Sequence, residues 1–275
     1  MKISIITPSL NQGEFIERTI QSILSQKGDF ELEHIIVDGG STDGTLEIVR
    51  KYEDRLTLIS GRDHGQSDAI NRGFDMASGN ILAWLNSDDT YEPGALSEVA
   101  ERFKMHECEW CFGNCRNIDE DDREIRRLIT RYKIFESRRY SLRRLLSKDF
   151  ISQPAVFFTK RVFEEVGSLD LDLEYTMDYD YWLRIGKRYS PLYITRFLAN
   201  FRWHGESKNS RNYSKSAREA YLVAKKHATS GDRYPILRHY IHPNFPKNYT
   251  YAMPGSWISK ALRISRCALV NSVRI

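Results

Sequence analysis

The 275-residue chain is poor in the features that staple, tether or interrupt a fold. It has four cysteines, Cys108, Cys111, Cys115 and Cys267, too few and too clustered for a disulfide framework at this length. HECEWCFGNC gathers His106 and three of them more tightly than the pair-loop-pair spacing of zinc sites, so they read as strand residues. No window approaches the roughly 20 apolar residues of a membrane span. MKISIITPSLNQGEF offers only a short apolar run broken by Pro8 and Asn11, unlike a secretory leader, and a cytosolic location is expected. Two phosphate motifs are also missing. DGGSTDG does not follow G-x-G-x-x-G, and no G-x-x-x-x-G-K-[ST] occurs, which excludes the usual backbone cradles for dinucleotides and nucleoside triphosphates. With no repeat, no low-complexity tract and 41% hydrophobic residues, one main domain is expected.

The formal net charge of +4 is unevenly spread. Residues 123–148 carry ten Lys/Arg against Glu124 and Glu136, and residues 256–275 carry Lys260, Arg263, Arg266 and Arg274 with no acid. Two local anionic contacts fit this better than diffuse nucleic-acid binding. In the second stretch Ile258, Ala261, Leu262, Ser265, Leu269 and Val273 share one helical face, the pattern of an interfacial helix on an anionic membrane or of a helix docked on its own domain.

Apolar periodicity predicts strands at 2–6, 34–37, 56–59 and 81–85. Helices are predicted at 14–26, from Ser41 or Thr42 to about 52, and through SDAINRGFDMAS. This alternation predicts an α/β fold, a mostly parallel central sheet with helices on both faces. The rhythm changes after residue 96, where two strands with an acidic turn precede the basic helical stretch. Further elements are read in QPAVFF, MDYDYWLRIG, PLYITRFLANFRWH and SKSAREAYLVAKKH. Ligands of such sheets sit beyond the carboxyl ends of the strands. Thr7-Pro8-Ser9, Asp38 and Asn86 to Asp89 all fall there. Without a backbone cradle, a diphosphate is neutralised by a divalent cation on one or two carboxylates, a task suited to Asp88-Asp89, although adjacent acids after a strand also make ordinary turns.

ISIITPSLNQGEFIERTIQSIL, IIVDGGSTDGT, GQSDAINRG, GNILAWLNSDD, MDYDYWLRI and FRWHGES, in that order over residues 2–210, resemble the inverting family-2 glycosyltransferases of the GT-A (Rossmann-like) fold. The resemblance implies a domain at 1–210, with a nucleotide-sugar half (1–115) and an acceptor half (116–210), followed by a helical C-terminal extension (211–275). It places Thr7, Pro8, Asp38, Asp68, Asn86 and Asp88 in the nucleotide-sugar site, with Asp38 on uracil, or on thymine, which shows the same edge. Asp88 would lie near the ribose, Asp89 and His204 would hold Mn²⁺ or Mg²⁺, and Asp178 would be the catalytic base, with Asp180 as the competing candidate. Asn86 departs from a frequent Asp, and Met177 from a Glu that often precedes the base. The implied reaction passes a sugar, most simply from a UDP-sugar, to a glycan or polyprenyl-diphosphate-linked acceptor and forms a β-linkage in surface polysaccharide. A peripheral site on the inner membrane face follows. A sugar-1-phosphate nucleotidyltransferase would need a basic, Gly-rich loop after the first strand, which TPSLNQGEF lacks; a catalytically silent sugar-nucleotide binder is the other alternative.

Overall fold

The computed structural model describes residues 1–205 and 212–232. Strands β1 (Lys2–Ser9), β2 (Glu31–Asp38), β3 (Thr57–Ser60) and β4 (Ile81–Trp84) pair in parallel in the order β3-β2-β1-β4. Helices α1 (Ile16–Leu24), α2 (Thr45–Arg50) and α3 (Gln66–Met76) connect them. β1, the second half of β2 and β4 are buried on both faces, while β3 at the sheet edge is not. On β4, Leu82 and Trp84 enter one core cluster while Ile81 and Ala83 enter the other. At Gly73 of α3 a Cβ would come within 2.5 Å of Ile6, so only glycine lets this helix lie so close to β1. α2 begins at Thr45, later than a Ser41 or Thr42 cap would put it, because the Ser41 hydroxyl is already bonded to Asp38.

The second half comprises β5 (Thr90–Tyr91), α4 (Ala95–Met105), β6 (Trp110–Ile118), β7 (Glu124–Ile125), α5 (Arg127–Ser137), α6 (Leu142–Ser147), β8 (Val156–Thr159), α7 (Lys160–Val166), α8 (Met177–Gly186), β9 (Leu192–Arg202) and α9 (Tyr213–His227). The sheet continues from β4 through β8, β6 and β9 to β5. β8 is antiparallel to β4 and β6, while β9 is parallel to β6 and antiparallel to β5. The sheet is therefore mixed beyond β4. The short turn between β6 and β7, for example, allows only antiparallel pairing, since parallel neighbours need a long crossover. Cys111 and Cys115 lie buried on β6.

Two contacts seat α8. The Trp182 indole is stacked between Trp84 of β4 (5.2 Å, 20° between planes) and Trp110 of β6 (6.2 Å, 14°). The Tyr179 hydroxyl donates to the Leu145 carbonyl of α6 at 2.9 Å. α9 in turn packs on α8, burying Val223 and Ala224 in the same core. The expected boundary at 210 falls outside the described residues, as do the C-terminal basic helix and Cys267. No helix among the described residues is long and apolar enough to cross a membrane.

Candidate active site

Strand order reverses at β1: β2 and β3 lie on one side of it and β4 on the other, all running parallel. A cleft of about 530 Å³ opens at the carboxyl ends of β1 and β4, where α/β sheets bind ligands. It is lined by Pro8 and Ser9 at the end of β1 and by Asn86, Ser87 and Asp88 after β4, and also by Arg126, Lys133, Asp149 and Asp178 from the second half of the chain. His204 closes it from the end of β9.

The acidic doublet divides its labour. Asp88 faces the cleft, its Oδ2 3.0 Å from His204 Nε2, and this hydrogen bond raises His204 above its ordinary pKa. Asp89 is fully buried and is not among the residues that line the cleft. Its Oδ1 accepts the Arg202 backbone N–H at 2.8 Å, and burial together with the Asp88 charge pushes its pKa well above the carboxylate range. The buried Arg202 guanidinium returns the contact by donating to the Asp88 carbonyl (2.8 Å) and the Asp119 carbonyl (2.7 Å). Asp89 and Arg202 thus clip β9 to the loop after β4 and present Asp88 to His204. A carboxylate oxygen beside an imidazole nitrogen, both opening on the cleft, is a donor set that suits Mn²⁺ or Mg²⁺.

Four other expected nucleotide contacts lie differently. Thr7 is buried, its Oγ1 3.0 Å from Nε2 of His34, whose pKa burial lowers to about 3, so the imidazole is neutral. The buried Asp38 carboxylate accepts from the Gly40 N–H (3.0 Å), the Ser41 N–H (2.9 Å) and the Ser60 hydroxyl (3.2 Å). Asp68 accepts the His64 N–H at 3.1 Å, ahead of α3. None of the three lines the cleft. Asn86 does, accepting from Gln66 Nε2 (2.8 Å) and donating to Gln153 Oε1 (3.2 Å), which ties α3 to the turn before β8. The Ser9 hydroxyl, buried on the cleft wall, has no hydrogen-bond partner among the described residues.

Asp178, also lining the cleft, stands in the first turn of α8, its Oδ1 accepting the Tyr179 N–H at 2.8 Å. Burial raises its pKa to about 6, against the pull of that N–H and of Lys133. Asp180, two residues on, is fully buried and paired with Arg184 (2.7 Å) and His227 of α9 (2.7 Å). Burial opposes ionisation there, but these partners win and hold its pKa near 2, so it is spent on structure. Sequence reasoning missed three further residues. Asp149 lines the cleft with an enclosed, unpartnered Oδ1, and burial plus the charge of Asp178 lift it to about 7. It is a second carboxylate coupled to Asp178 in a sequence where Met177 withholds the adjacent one. Lys133 donates to Ser152 Oγ at 3.1 Å and stabilises the ionised form of both acids. Glu219 of α9 accepts the Tyr175 N–H (3.0 Å) and the Thr176 N–H (3.1 Å), fixing the turn ahead of Asp178. Asp149 and Glu219 stand in no sequence motif.

Comparison with known proteins bears on the family and the fold. A "PGL/p-HBAD biosynthesis glycosyltransferase" of Mycobacterium bovis is 34% identical over 203 residues, covering 71% of this chain and 73% of the relative. S. aureus TarS 1–349 in complex with UDP-GlcNAc superposes with a TM-score of 0.67 at 18% identity, over 90% of this chain and 74% of that one; of the longer TarS structure the chain spans 44%. A mannosyltransferase from Pyrobaculum calidifontis, in complex with GDP-Man and Mn2+, gives a TM-score of 0.67 at 18% identity, covering 97% and 79%. These two share the fold. The family model described as "Glycosyl transferase family 2" matches residues 4–167, from β1 past α7, and takes in both the switch-point loops and Asp149. A chain with this cleft, matched by that model over most of its length, belongs to glycosyl transferase family 2.

Proposed function

We propose that the chain moves a sugar from a nucleoside-diphosphate donor to a hydroxyl of a glycan or polyprenyl-diphosphate-linked acceptor, with inversion, so that an α-linked donor gives a β-linked product. The observation that carries this reading is that Asp88, His204 and Asp178 all line a single cleft. The donor is taken as a UDP-sugar, in keeping with the UDP-GlcNAc complex of one structural neighbour; the GDP-Man complex of the other makes GDP-sugars the alternative.

Asp88 and His204 are the residues that would hold the cation, in place of the Asp89 expected from the motif. A divalent ion bound there neutralises the charge that develops on the diphosphate as the glycosidic bond breaks. In the same cleft Asp178 takes the proton of the acceptor hydroxyl as it attacks the anomeric carbon. Its raised pKa suits the task, since a base near the working pH is both ionised and able to hold a proton. The Ser9 hydroxyl, unpartnered on the nucleotide side, supplies a hydrogen bond to the donor.

A panel of UDP-, GDP- and dTDP-sugars with and without Mn²⁺ tests the donor side. A ligand of the folded state at a hundredfold excess over its Kd adds about 2.7 kcal/mol, or roughly 5–10 °C in Tm at this size. One nucleotide is expected to produce that shift only when the cation is present. No shift from any of the three, or one indifferent to chelator, contradicts the reading.

A further inference from the structure

α5 presents two unlike faces. Arg126 just ahead of it, Ile129 and Lys133 line the cleft, and Thr130, Glu136 and Ser137 are buried. On the opposite side, at helical spacing, the chain exposes Leu128 (69%), Arg131, Phe135 (48%), Arg138 and Arg139. The Arg139 guanidinium lies 4.0 Å from the Phe135 ring centroid. Arg131, Arg138 and Arg139 have no acidic partner at ion-pair distance among the described residues, because Glu136, the acid within α5, is buried and taken by Arg144 at 2.6 Å; Arg138 instead bonds the Tyr193 hydroxyl. A merely solvated helix face carries charges of both signs and few large apolar groups. This one carries a leucine and a phenylalanine among unneutralised guanidiniums. That combination matches the headgroup layer of an anionic bilayer, where apolar side chains enter the acyl boundary and each basic residue meets lipid phosphate.

We propose that the outer face of α5 docks on an anionic lipid bilayer. Because the inner face of the same helix is a wall of the cleft, docking brings the cleft to the lipid surface. That consequence rests on the transferase reading above and selects, among its acceptors, those carried on a lipid.

Flotation of the full-length chain with vesicles of phosphatidylglycerol and phosphatidylcholine, and with phosphatidylcholine alone, tests the docking. The wild-type chain is expected to float with the anionic vesicles only. Combining Arg131→Glu, Arg138→Glu and Arg139→Glu should weaken that binding by at least about a hundredfold. Leu128→Ser with Phe135→Ser should weaken it about tenfold or more. Both variants should melt, and answer to nucleotide and Mn²⁺, as the wild type does. Three results overturn the proposal: wild-type chain that ignores anionic vesicles, wild-type chain that binds both vesicle types alike, or variants that bind as tightly as the parent, which assigns attachment to another part of the chain. Nucleotide binding is measured separately without lipid, so a failure of docking and a failure of the transferase reading are told apart.

Discussion

The neighbours Asp88 and Asp89 have opposite fates in a turn closed by the Asp89 N–H on the Asn86 carbonyl (3.1 Å), which leaves Asp88 on the cleft and Asp89 buried. The side that faces the cleft is decided by Arg202, 113 residues further on, whose backbone N–H claims Asp89. The doublet was therefore legible in the sequence and its division of labour was not. Asp88→Ala should abolish the Mn²⁺-dependent part of nucleotide binding by calorimetry while leaving the Tm close to wild type. Asp89→Ala should instead destabilise the chain by roughly 3 kcal/mol, having stripped a buried N–H and the clip that holds Asp88; equal loss of cation response with an unchanged Tm in both would restore Asp89 as a ligand. For Asp178 the sign of the pH effect is fixed by its raised pKa. The base is ionised above about 6 and protonated below, so log kcat/KM should fall as pH drops through that region. A limb at the ordinary carboxylate value near 4 would show that burial does not tune it.

Asp178 and Asp180 sit on one helix, and the difference between them comes from what packs against it. MDYDYWLRIG was recognisable as a helix, and Arg184 stands four residues after Asp180, but the choice between its two acids also depends on His227 of α9, which no local pattern links to Asp180. Asp180→Asn leaves a partly exposed guanidinium and a buried imidazole short of their counter-charge and should cost about 3 kcal/mol in denaturant titrations, with turnover per folded molecule little changed. Loss of turnover without loss of stability would make Asp180 a participant in the chemistry. The low pKa of Asp180 means that its stabilisation is complete above the unfolded value near 4 and is lost as pH falls towards 2. Trp182→Ala should remove the middle indole of the stack and cost about 3–5 kcal/mol. Since that stack fixes the helix carrying Asp178, activity should fall further than the folded fraction does.

At the scale of the molecule, the parallel half of the sheet was readable because β1, the second half of β2 and β4 are buried on both faces and its strands end in polar loops at one edge. The site followed from that edge. The pairing of β6, β8 and β9 was not readable, because strand direction there is set by tertiary partners far apart in sequence. Asp149, on the short segment between α6 and β8, owes its place in the cleft to that second half, and Glu219 owes its role to the docking of α9. The account joins two halves, a donor side built on β1 and β4 and a proton-accepting side built on α8. The measurement that tests this most directly is nucleotide release from the preferred donor by wild type and by Asp178→Asn under the same Mn²⁺ concentration, with donor affinity measured alongside. The account predicts that the variant binds the donor within a few-fold of wild type and releases nucleotide about 10²–10⁴-fold more slowly. Release at the parent rate would contradict it.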